Sequence, residues 1–125
     1  MKWFTAKIVF GIHHSSQEAI TQYDEQIRAI QARDEHEAFL KARMLGVREE
    51  YSFTNENNEE VGWRFVDVTD LVEMDELKDG MEIYSRIHET DSREQYIQFV
   101  HDKALQLSMR MGQHEVHKPA YALAV

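Results

Sequence analysis

From Phe4 to Ile12 every second residue is apolar. Phe4, Ala6, Ile8, Phe10 and Ile12 fall on one face of an extended chain, and Thr5 and Lys7 fall on the other. A strand with that pattern, "WFTAKIVFGI", has to find partner strands and a layer to cover its apolar face. The rest of the chain supplies both. "YDEQIRAIQA" reads as a second strand, although Ile27 and Ala29 sit out of phase with Ile30 and Ala32, a slip that a β-bulge would explain. A helix follows. Asp34 and Glu37 form an acidic variant of the capping box, Ala38, Phe39, Ala42 and Leu45 make the buried stripe, and Gly46 offers a C-cap.

"VREEYSF" and "EVGWRFVDVTDLVEM" flank the asparagine-rich "TNENNE" and read as a hairpin. Val47, Tyr51 and Phe53 share a face of the first arm. In the second arm Val61, Trp63 and Phe65 alternate, then Val66, Val68 and Val72 take over, which implies a second bulge or burial of both faces. "DELKDG" is a turn and residues 81–88 read as a fifth strand. Ser92 with Gln95 caps a long helix carrying Ile97, Val100, Ala104, Leu107 and Met111 at helical spacing, ended by Gly112. The expected fold is α+β, with a sheet of about five antiparallel strands in the order ββαβββα and helices packed on one face. Residues 1–112 form a single domain, and residues 113–125 form a tail packed on the domain or on a partner subunit.

Composition narrows the functions. The 125 residues carry 23 acidic and 14 basic side chains, a net charge of −9, so phosphate backbones and anionic membranes are repelled at long range. Neither nucleic acid nor membrane is an expected partner. Cysteine is absent, which removes disulfides, thiolate metal sites and cysteine nucleophiles together. No cleavable leader opens the chain and no apolar run is long enough to cross a bilayer, so the expected location is the cytoplasm.

The segment "KDGMEIYSRI" places Glu82, Tyr84 and Arg86 in alternation, an acid, a phenol and a cation. On an extended strand Glu82 and Arg86 stand roughly 13 Å apart, too far to pair with each other. Asp67, Asp70 or Glu73 on the preceding strand could pair with them, Arg86 with Asp70 for instance. The ordinary reading is the wet side of a strand; the functional one is a groove face holding an anionic ligand. His13 and His14 are adjacent on a strand and so point to opposite faces. His114 and His117 have the spacing of paired metal ligands, but Gly112 and Pro119 bracket them outside regular helix. Ser15 and Ser16 lack the strand–turn–helix elbow of a nucleophile, and the glycines form no phosphate loop. No cofactor and no catalytic residue is expected. Trp3, Trp63, Tyr51, Phe53 and Phe65 are aromatic enough to suggest a ligand slot, but their alternation on strands reads more simply as the core face of the sheet.

"WFTAKIVF", "YDEQIRAIQARDEHEAFLKARMLG", "EEYSFTNENNEEVGWRFVDV" and "DGMEIYSRI" together resemble the uncharacterised bacterial proteins grouped as domain of unknown function 4288. The resemblance spans roughly residues 3–88, and relatives continue into a helix like residues 92–111. Asn58 stands where such proteins often carry a turn glycine, a change the turn tolerates. The resemblance implies a small stand-alone bacterial domain and no particular activity.

The apolar end "AYALAV" and the long strand from about 61 to 74 both favour self-association. The expected function is a non-enzymatic binding or interaction module acting as a homodimer. The alternative is a small-ligand or metal-binding protein using the face around Glu82, Tyr84 and Arg86.

Overall fold

Strand β1 (Lys2–His14) is the spine of an antiparallel sheet, flanked by β2 (Gln22–Ala32) on one side and by β4 (Glu60–Met74) on the other. The short β3 (Tyr51–Thr54) pairs with the first residues of β4, giving the order β2-β1-β4-β3. Helix α1 (Glu35–Arg48) lies between β2 and β3 in the chain, and α2 (Arg93–Arg110) follows the sheet. The computed structural model describes residues 1–112. They fall into two units, Met1–Ser85 and a second that begins at Arg86.

In the first unit α1 packs on the sheet face that carries Phe4, Ala6, Ile8 and Phe10, each at most 1% exposed. Ile30 and Ala32 of β2 and Ala38 and Ala42 of α1 complete the buried core, with Leu45, Trp63, Phe65, Val68 and Leu71 packed around it. Full burial of side chains such as Phe4, Ile8 and Phe10 stabilises the fold by about 1.5–3 kcal/mol each. Asp34 caps α1 by accepting from the Glu37 backbone N–H at 2.8 Å.

The expected bulge in β2 is absent. β1 and β2 keep one register from Lys2↔Ala32 to Ile12↔Gln22. Ile27 and Ala29 are out of phase because they occupy the opposite, exposed face. The slip expected in the long strand is present, and it occurs twice. Between Lys7 and Ile8 the pairing passes over Thr69, and between Val9 and Phe10 it passes over Val66. Val61, Trp63 and Phe65, then Val68, then Leu71 consequently share the face turned to α1.

Two boundaries differ from the sequence reading. Gly46 does not end α1, which continues to Arg48 and is capped by the Glu49 backbone. A β-carbon at Gly46 would run into the Phe65 ring, so the glycine serves the close approach of helix and sheet. Val47 therefore belongs to the helix and not to the face of Tyr51 and Phe53. Trp3 also lies opposite the core face and is 49% exposed.

The fifth strand does not form, and the sheet has four strands in the order ββαββα. Residues 81–88 alternate, but Ile83 is 43% and Ile87 92% exposed, and no ladder includes them. Alternation specifies an extended backbone. A strand also needs a neighbour's N–H and C=O groups, and periodicity does not encode those.

In the second unit Ser92 caps α2, accepting from the Gln95 N–H at 3.3 Å, and Gly112 takes φ 71° just beyond the helix end. No helix among the described residues is long and apolar enough to cross a membrane.

Candidate functional site

The most enclosed charge in the first unit is Lys7, at the middle of β1 on the face opposite α1. Its side chain is 10% exposed. The ammonium sits 3.4 Å from the Glu25 carboxylate and donates to the Tyr84 hydroxyl at 3.5 Å, lying 5.7 Å from the centre of the Tyr84 ring. Glu25 reaches it because the β1–β2 register sets Val9 opposite Glu25, next along the same face. Burial pulls the Lys7 pKa down, but the bonds from Tyr84 and Glu25 together outweigh it and hold the amine above its ordinary value. Lys7 is therefore a fixed cation at ordinary pH. A lysine nucleophile needs the opposite shift.

Of the three residues singled out in the strand-like segment, Tyr84 is half-buried against Lys7. Glu82 is exposed. Arg86 falls in the second unit, where it lines an open groove of about 510 Å³ with His88, Gln95, Tyr96 and Phe99. His88 and Tyr96 meet there edge to face at 5.1 Å. The acids expected to partner this segment have other partners: Asp67 is held by Arg43 at 3.1 Å, Glu73 by Lys2 at 3.3 Å, and Asp70 accepts from the Thr69 hydroxyl.

β1 runs through His13 and His14, so the two rings do point to opposite faces. His14 Nε2 donates to Gln22 Oε1 at 3.0 Å and its Nδ1 is 3.9 Å from Glu59. Ser16 donates to Glu59, which also accepts from Asn55, and both bonds hold the Glu59 carboxyl below the usual range. No group of three His, Asp or Glu side chains suited to a metal ion occurs among the described residues. His114 and His117 lie outside them, as does the 113–125 tail.

Two surface features of the first unit stand apart from these groups. Tyr51 and Phe53, expected on the core face with Trp63, are about half exposed at the sheet edge and stack with Trp63 in a ladder, with Tyr51 and Trp63 5.1 Å apart and 10° from parallel. The Trp63 indole N–H donates to Asp24 at 3.0 Å, across β1. Register joins these two, and a single sequence does not display register. The second feature is an apolar groove of about 610 Å³ between Leu40, Met44 and Val47 of α1 and Phe65 of β4, with Arg43 and Arg48 at its rim. Lys7 itself was visible as the one charge inside the apolar run; its partners were not.

A family model described as "Domain of unknown function (DUF4288)" matches residues 3–85. No curated protein matches the chain, and no solved structure does.

Proposed function

The chain belongs to the DUF4288 family, and on that premise we propose that it is a non-enzymatic interaction module that works as a homo-oligomer. The observation that carries this reading is the apolar exposure of α2 among the described residues. Ile97, Phe99, Val100, Leu105, Leu107 and Met109 are each more than two-fifths exposed on an 18-residue helix. Exposed apolar side chains in that density on one helix favour contact with a second chain. The α1 groove points the same way, since four of its six lining side chains are large and apolar, beside Arg43 and Arg48. The cysteine-free composition supports a reducing compartment, the cytoplasm of a bacterium. The fixed charge on Lys7 supports a structural clamp in place of a reacting group.

A second reading has one observation in its favour. Arg86 and His88 line the same groove in the second unit, an arrangement suited to a small anion. Native mass spectrometry of the purified protein, with and without chelator, separates the two. A dimer mass with nothing added supports the interaction module, and a monomer mass at micromolar concentration overturns it. An added mass that leaves on denaturation, or a metal lost to chelator, makes ligand binding primary.

A further inference from the structure

β2 is an outer strand along all eleven of its residues. Outer strands ordinarily carry a proline, a bulge or lysines that discourage further pairing. β2 has no proline, no lysine and no register shift against β1. Among the described residues no strand pairs on its outer side, and near its end the Lys41 ammonium donates to the Gln31 carbonyl. We propose that β2 is the twofold seam of the homo-oligomer: two copies pair antiparallel through this strand, with Gln26 facing Gln26 of the second copy. The proposal rests on the self-association reading and adds to the α2 contact a seam of defined register.

Symmetry and charge select the register. A twofold axis perpendicular to the sheet keeps every side chain on its own face, so the axis must pass between two copies of the same residue. Placing it at Asp24, Glu25 or Arg28 sets like charges directly opposite each other, which is destabilising. Placing it at Ile27 sets Asp24 opposite Ile30, a core residue 5% exposed. At Gln26 a neutral amide lies on the axis. Asp24 then faces the second copy's Arg28 and Arg28 its Asp24, while Tyr23 lies opposite Ala29 on the other face. Both charged groups have capacity left. Asp24 accepts from Trp63 and from Gln26, and a carboxylate has about four acceptor sites; Arg28 uses donors on Gln26 and Glu49 out of five.

Among the described residues β4 also has no strand beside it past its pairing with β3, which stops at Trp63. Residues 66–74 carry Asp67, Asp70 and Glu73 and no lysine or arginine, so that edge offers its own copy no opposite charge within the strand. Self-complementarity belongs to β2.

The absence of native cysteine makes the test direct. Gln26→Cys should form a covalent dimer on mild oxidation, because directly opposed residues have β-carbons about 4.5–5.5 Å apart. Gln22→Cys should not, since its two copies would stand about 27 Å apart along the seam. Asp24→Arg and Arg28→Asp should each dimerise roughly tenfold more weakly, and mixing them should restore a heterodimer in which all four charges are matched. Should Asp24→Arg fail to fold without its bond to Trp63, the cysteine pair decides alone. A wild-type dimer whose Gln26→Cys variant does not cross-link would overturn the seam and leave self-association standing on another surface. A monomeric wild type would remove both.

Discussion

At Gly46 the missing side chain sets how closely α1 approaches the sheet, because Phe65 fills the space a β-carbon would need. Helix propensity alone favours Gly46→Ala by about 1 kcal/mol. Overpacking against the ring costs about 1–3 kcal/mol. The net expectation is a loss of about 1 kcal/mol by denaturant unfolding, and Phe65→Leu in the same chain should recover part of it. The sequence showed a glycine near a helix end, and the capping role was the local inference. The actual role depends on a residue 19 positions later, which strand pairing brings beneath the helix. Lys7 teaches the same lesson in milder form. Its polarity inside "TAKIV" was legible, but Glu25 and Tyr84 are brought to it by strand pairing and chain path.

Among the elements, β1, α1 and α2 were legible because their signals are local: alternation in β1, and capping side chains with periodic apolar residues in the helices. Asp34 and Ser92 mark both N-termini. The failures came where one pattern fits two structures. Residues 81–88 alternate as a strand does, yet join no ladder. β2 looked bulged because Ile27 and Ala29 belong to its exposed face. The stripe on α2 was also read correctly as a pattern, but its side chains are exposed, since periodicity identifies a face and not what covers it. If a second chain covers that face, Leu107→Glu should leave the helix content unchanged by circular dichroism and shift the native mass toward monomer. Leu107 is 46% exposed, so the substitution adds little strain within one copy. A Leu107→Glu variant that dimerises like the wild type would remove the α2 stripe from the interface.

For the whole molecule, the pH profile follows from charges fixed by tertiary partners. Glu37 is held below the usual range by Arg33, Glu59 by Ser16 and then Asn55, and Asp67 by the Val68 N–H and then Arg43. Depressed carboxyl values contribute stability that is present above the ordinary range, about 4, and is lost as pH falls through the folded values. Lys7 is raised, so its contribution is present below about 10.4 and is lost as pH rises through its folded value. The melting temperature should be level between about pH 5 and pH 10 and decline on both sides. Glu59→Gln should flatten the acid limb, and Lys7→Met the alkaline one. An acid limb that is unchanged in Glu59→Gln would assign the loss to other carboxyls.

The paired register shifts of β4 also bear on how such a chain can change over descent. Each shift inverts which side chains face α1, and together they cancel, so Phe65 and Leu71 look the same way. Losing Val66 alone would remove its shift and leave Asp67 opposite Val9, facing away from α1 as before. Single-residue losses in this strand should therefore fall at the two shifts among relatives, since a loss elsewhere turns the side chains between it and the nearest shift to the wrong face.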